Sequence, residues 1–190
     1  MKVLATLVWS GVLLVATVLV LERDASAQDK QVKIRDIALA VPAKWKQQPP
    51  SNRLRLAQFV IPAVEGDKEA AELVISSFGG DGGGVKANVT RWQKQFQAEG
   101  RKSALAKGQC EQGEYVVVEL SGTYNKPDGP PILRKTKPMP NARMVGVILK
   151  VEGKGFYFLK LTGPDKTVAA AGTALRKSMG AEKSKETPLE

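Results

Sequence analysis

The stretch RMVGVILKVEGKGFYFLKLTGPDKTVAAAGTAL, residues 143–175, contains in one run the elements that decide the fold. Two strand-like segments, 143–151 and 156–161, flank a short segment with two glycines, which is typical of a β-hairpin. Pro164 marks the start of a helix, because proline is well tolerated in the first helical turn. An apolar stripe at helical spacing follows, and we expect it to pack on the sheet. The stripe consists of Val168, Ala171, Leu175 and Met179.

A second amphipathic helix is predicted at 85–98, where Val85, Val89, Trp92 and Phe96 form one continuous apolar stripe. Three strands precede this helix and about four follow it before the last helix. Because hairpins dominate this order, the sequence predicts an α+β fold, a mainly antiparallel sheet flanked by helices. The predicted strands are residues 31–41, 54–61, 73–78, 104–110, 115–124, 143–151 and 156–161.

Three local stretches, VPAKW at 41–45, NVTRW at 88–92 and FYFLKLTGP at 156–164, add to this order of elements. Together they resemble the PsbP-like fold, named for an extrinsic protein of the photosynthetic oxygen-evolving complex. The resemblance implies an α/β/α sandwich with a central antiparallel sheet, and an accessory or binding role without catalysis. The chain contains no histidine, so a histidine-containing metal site of that family cannot be carried over.

The N-terminus reads as an export signal over residues 1–27. Lys2 precedes an apolar run at 3–21, and Ala25-Ser26-Ala27 suits cleavage before Gln28. The run is also long enough to remain as an uncleaved anchor, which would bring residues 3–21 into contact with a membrane. In both cases we expect the protein to be exported, to the periplasm, the envelope or the medium.

The remaining chain is long enough for one compact unit. We predict a single α+β domain at 28–180 and a disordered, polar tail at 181–190. The whole chain has 29 basic and 19 acidic side chains, and its net charge of +10 does not depend on the export segment, which carries two charges of each sign. A basic exported domain attracts polyanions such as acidic glycans or anionic lipids. An envelope protein is the other expected partner.

The absence of histidine excludes His-based triads, Cys–His dyads and His-containing zinc sites. Cys110 is the only cysteine, so no intrachain disulfide can form, and we interpret it as a buried apolar residue. We therefore predict no catalytic residues, no metal site, no cofactor and no specific nucleic-acid partner.

The candidate ligand-binding residues lie in the proline-rich segment 125–141, which is predicted to be a long irregular loop because proline cannot donate to a ladder. The alternative is that its charges are only solvated. The four candidates are Lys126, Arg134, Lys135 and Lys137.

Three functions remain open at this point. The first is an exported, non-enzymatic binding or accessory module of the cell envelope with a basic face, and another is a structural component of an envelope assembly. The remaining alternative is a small exported hydrolase using carboxylates, or a Ser-Lys pair such as Ser103 with Lys102. The carboxylates available to it are Glu65, Asp67, Glu69, Glu72, Glu111 and Glu114.

Overall fold

The computed structural model describes residues 29–78, 80–129, 133 and 135–189. The predicted export segment 1–27 lies outside the described residues. Ten strands, two α-helices and one short 3-10 helix make up the described part. In chain order they are β1 Lys30–Ile34, β2 Ile37–Val41, β3 Lys46–Gln48, β4 Ala57–Ile61, β5 Ala71–Phe78, α1 Gly84–Gln93, β6 Lys102–Cys110, β7 Gly113–Pro127, β8 Thr136–Val151, β9 Gly155–Pro164, α2 Asp165–Ser178, the 3-10 helix Lys183–Lys185 and β10 Thr187–Leu189.

Eight strands form one sheet in the order β10-β6-β7-β8-β9-β5-β4-β3, and β1 and β2 form a separate hairpin. Every pairing is antiparallel. The predicted hairpin of β8 and β9 lies at the centre of the sheet, since β8 also pairs with β7 and β9 with β5. The α+β class with a mainly antiparallel sheet is therefore confirmed, while the PsbP-like sandwich stays a prediction.

The two helices pack on opposite faces of the sheet. Val168 and Leu175 of α2 are fully buried against one face, which the β1–β2 hairpin also covers. On the other face, Val89 and Trp92 of α1 are buried in a second cluster. Both apolar stripes predicted from the sequence therefore face the sheet.

Helix α1 ends earlier than the sequence predicts, at Gln93 instead of Ala98. The next residues turn to bond with β7: the Gln97 amide donates to the Thr123 carbonyl at 2.9 Å, and the Asn125 amide donates to the Gln95 carbonyl at 2.8 Å. These bonds compete with a further helical turn. The chain thereby closes over the sheet beside the end of α1.

The prediction of an irregular loop at 125–141 is wrong in part, because β7 continues to Pro127 and β8 begins at Thr136. Lys126 is paired with Lys137 in this extension. Strand β9 pairs with β8 only from Ala142 onwards, so the earlier part of β8 has a free side. Proline is tolerated there because its missing N–H removes no ladder bond on a free edge.

The C-terminal residues 181–189 also differ from the predicted disordered tail. They contain the 3-10 helix and β10, which pairs with β6 at the edge of the sheet. Ala181 is buried, and its amide donates to the Arg176 carbonyl at 2.9 Å. A polar composition alone could not show these tertiary contacts.

Candidate functional site

One cavity combines apolar walls with converging polar groups. It lies on the α1 side of the sheet, between β4, β5 and β9 and the extension of β7 and β8, and has a volume of about 530 Å³. We call it the Lys160 cavity, after the lysine of β9 that it contains. Its other principal side chains are Arg55, Val60, Glu72, Val74, Tyr124, Lys126, Met139 and Thr162.

Lys160 is half-buried in this cavity. Its Nζ donates to Tyr124 Oη at 3.2 Å and to Gln95 Oε1, and it lies 5.3 Å from the centre of the Tyr124 ring. Removal from water penalises the charged form, so burial lowers the pKa of Lys160 to about 8. Two neutral acceptors thus take the place of the carboxylate that a recessed lysine usually contacts.

Tyr124 is positioned by the segment that follows α1. Its ring packs on Phe96 with the ring centres 5.2 Å apart, and the two residues form an isolated β-bridge. A register shift between Gly122 and Tyr124 accompanies this arrangement. Burial raises the pKa of Tyr124 to about 12, so the hydroxyl stays protonated at physiological pH.

Glu72, the acidic side chain among the described residues that line the cavity, is already paired. Arg55 Nη1 lies 3.0 Å from Glu72 Oε1 and 2.8 Å from Gln58 Oε1. Within the described part of the chain, no carboxylate oxygen lies within 4.0 Å of Lys160 Nζ. The ammonium of Lys160 is therefore the cation of this cavity without a contacting counter-charge.

The structure brings only some of the predicted ligand-binding residues to this site. Lys126 lines the cavity and pairs with Glu69, with 2.6 Å between Nζ and Oε2. The hydrogen bond from Lys126 and its charge, with a further contribution from Lys137, lower the pKa of Glu69. Lys135 and Lys137 are exposed on the extension outside the cavity. Arg134 lies outside the described residues.

Several residues considered for a hydrolase have other roles. Asp67 Oδ2 accepts hydrogen bonds from the amide and the hydroxyl of Thr167, both at 2.7 Å, and so ties its loop to the first turn of α2. Ser103 Oγ accepts a hydrogen bond from Gln93 at 3.2 Å. Lys102 is the preceding residue of the same strand, so it faces the opposite side of the sheet. Among the described residues, no serine hydroxyl is hydrogen-bonded to a lysine.

Cys110 is buried, and its thiol lies 3.4 Å from the Gly113 carbonyl oxygen, which confirms the prediction of a buried residue. No cluster of three or more His, Cys, Asp or Glu side chains suited to a metal ion occurs in the described ranges. In the part of the chain that the structure describes, neither α1 nor α2 is long and apolar enough to cross a membrane.

No family model and no curated protein matches the chain. Among solved structures, the chain is similar to a crystal structure of a Pseudomonas aeruginosa protein of unknown function, PA94. The identity is 17%, the TM-score is 0.43, and the match covers 80% of this chain and 94% of the other. A similarity at this level carries no conclusion about fold or function.

Sequence reasoning missed Lys160, although a signal was present. In FYFLKL, residues 156–161, it is the one charged residue of an otherwise apolar strand, and it shares a face with Phe156 and Phe158. This is the face of the sheet on which α1 packs, and Phe158 is buried there. A lysine on the apolar face of a central strand needs a polar cavity or a partner, and this requirement could have identified it.

Proposed function

We propose that this protein is an exported, non-enzymatic binding or accessory module of the cell envelope, which holds an anionic partner through a basic hairpin. The basic hairpin is the described part of the extension of β7 and β8, residues 125–129 and 135–138, with Lys126, Lys135 and Lys137. The observation that carries the proposal is the ladder that pairs Lys126 with Lys137, because it holds the exposed cations Lys135 and Lys137 on ordered backbone.

A paired hairpin suits binding better than a mobile loop. The ladder between β7 and β8 continues to Pro127 and Thr136, and the Asp128 amide donates to the Lys135 carbonyl at 2.9 Å beyond it. Backbone that is already ordered loses less entropy when it settles on a partner. Glu69 already contacts Lys126, so Lys135 and Lys137 are the exposed cations of the hairpin that can meet an anion.

The charge of the protein defines the chemistry of the partner. The net charge of +10 draws polyanions from a distance, and exposed Lys135 and Lys137 can contact phosphate, sulfate or carboxylate groups. Acidic glycans and anionic lipids both present such groups on cell surfaces. Export rests on the predicted signal at 1–27, and the accessory role on the PsbP-like resemblance.

Salt-dependent binding tests the proposal. The protein without residues 1–27 is titrated against vesicles with and without anionic lipid, and against an acidic glycan, at low and at moderate salt. Surface contacts of this kind should weaken steeply with salt, because screening shortens their reach to about 8 Å at physiological ionic strength. The two probes distinguish a lipid surface from a glycan.

A variant with Arg134, Lys135 and Lys137 changed to serine should bind at least about tenfold more weakly, since several cation contacts are lost together. The matched control changes the exposed Lys30, Lys33 and Lys44 to serine, which gives the same net charge elsewhere on the surface. Equal losses in both variants would contradict the role of the hairpin. Absence of binding by the wild-type protein to both probes would contradict the proposal itself.

A further inference from the structure

The ammonium of Lys160 retains binding capacity toward the cavity. It has three N–H donors, of which Tyr124 Oη and Gln95 Oε1 accept two. Among the described residues no carboxylate contacts this ammonium, so only more distant groups balance its positive charge. A recessed charge without a partner is costly, and an anion in the cavity would remove that cost.

The other cations of the cavity are engaged. Arg55 is paired with Glu72, and Lys126 is paired with Glu69. A ligand therefore meets one uncompensated positive charge, at Lys160. A single positive charge matches a monoanion. A doubly charged phosphate would bring a second negative charge near the carboxylate of Glu72, and no further cation would compensate it.

The walls around this charge are apolar. Val60 of β4 and Val74 of β5 lie on the same side of the sheet as Lys160, and Met139 of the β8 extension also lines the cavity. A volume of about 530 Å³ is within the range of sites for small organic molecules. An inorganic anion would fill little of this space and leave the apolar walls in water.

We propose that the Lys160 cavity binds a small organic carboxylate, with the carboxylate on Lys160 Nζ and an apolar body against Val60, Val74 and Met139. The Tyr124 hydroxyl now accepts from Lys160, and rotation of its proton allows it to donate to the same carboxylate. This small molecule is a different ligand from the polyanion proposed for the basic hairpin, and either can bind without the other.

The pH dependence of binding follows from the protonation of Lys160. A carboxylate binds the ammonium form, so its affinity should fall about tenfold between pH 7 and pH 9 if the pKa without ligand is about 8. The other ionisable groups that line the cavity are Arg55, Glu72, Tyr124 and Lys126. The raised pKa of Tyr124, about 12, keeps that hydroxyl neutral throughout this interval.

Calorimetric titration with octanoate tests the proposal, with its uncharged amide, octanamide, and inorganic phosphate as comparison probes. Octanoate should bind about 10- to 100-fold more tightly than octanamide, the usual effect of a hydrogen bond to a charged group. Phosphate should bind more weakly than octanoate. Phosphate binding as tight as that of octanoate, or no binding of octanoate, would overturn the assignment.

Two variants test whether octanoate binds in the Lys160 cavity. Lys160→Met keeps the length of the side chain and removes the charge, so it should abolish the preference for octanoate over octanamide. Val74→Phe fills the cavity from a different strand and should weaken both ligands about tenfold or more. Lys135→Met, which removes an equal charge from the exposed hairpin, is the control and should bind octanoate as the wild type does.

The fold of each variant is checked by its near-ultraviolet circular dichroism. Unchanged octanoate binding by a folded Lys160→Met protein would overturn the proposal, whatever the vesicle and glycan titrations show. Loss of polyanion binding with retained octanoate binding would instead contradict only the function proposed for the basic hairpin.

Discussion

Arg176 of α2 and Glu186 of the C-terminal segment form a buried ion pair, with 2.6 Å between Nε and Oε1 and side-chain exposures of only 3% and 5%. Another nitrogen of the same guanidinium, Nη2, lies 2.8 Å from Oε1 of Glu119 on β7. Tyr115 Oη donates to the same oxygen of Glu186 at 3.2 Å. These contacts fasten residues 181–189 to the sheet.

Glu186→Gln should destabilise the protein by about 3 kcal/mol, because removal of one partner leaves a buried charge less compensated. The expected loss of stability lies at the lower end of the usual range for breaking a buried ion pair, since Glu119 still contacts Arg176. Urea unfolding measures the change. Lys185→Gln is the control: its partner Glu182 is exposed, so we expect a change within about 0.5 kcal/mol. Equal stability of Glu186→Gln and the control would contradict the importance of the buried pair.

Gly146→Ala should cost about 1–3 kcal/mol through overpacking. A Cβ on Gly146 would clash with the six-membered ring of Trp92, so the indole of α1 has to move off the sheet. Unfolding free energy and tryptophan fluorescence both report this change. In a Trp92→Phe background the ring at this contact is smaller, and the same substitution should cost less. An equal cost in both backgrounds would show that the indole is not the cause.

Cys110 should react slowly with a thiol reagent in the native protein and quickly after denaturation. The thiol is buried at the end of β6 and contacts the Gly113 carbonyl oxygen, so reagent reaches it only when the structure opens. Labelling is followed by mass spectrometry with and without denaturant. Equally fast labelling in both conditions would contradict the buried position and reopen a reactive role for this thiol.

Between about pH 8 and pH 10 the wild-type protein should gain stability relative to Lys160→Met. Its lysine loses the proton near pH 8 when folded but near pH 10.4 when unfolded. The unfolded chain then binds more protons, and stability rises with pH. The raised pKa values of Tyr115 and Tyr124, about 12, act in the opposite direction as pH rises through about 10, but both proteins contain these tyrosines, so the comparison isolates Lys160. Urea unfolding across this interval measures the difference, and parallel curves for the two proteins would contradict it.

The central strands and the last helix could be predicted from the sequence, because the residue patterns that indicate them lie within short segments of the chain. The apolar runs at 143–151 and 156–161 and the helical stripe ending at Met179 correspond to β8, β9 and α2, as their periodicity predicts. Trp92 and Cys110 are buried, also as predicted. These features depend mainly on which side chains leave water, and that follows from spacing along the chain.

The parts that sequence reasoning missed depend on contacts between distant segments. Pro138 and Pro140 indicate a loop, yet a strand with a free side accommodates them. The pairing of Glu186 with Arg176 bridges two segments, and a polar composition alone suggests disorder there. Likewise, the polar site at Lys160 can be recognised only when Tyr124 and Gln95 are placed around it. Neither the register of the sheet nor the turn after α1 could be derived from residue spacing.

The short strand β10 also has a consequence for self-association. It pairs with residues 105–107 of β6, the strand that would otherwise present its unpaired backbone groups at that end of the sheet. Such an open edge is a template on which a second molecule can add a strand. By covering residues 105–107 with a three-residue strand of its own, the protein hinders sheet extension at this edge, because a very short edge strand is a poor template. Release of the last residues should therefore promote aggregation in addition to lowering stability.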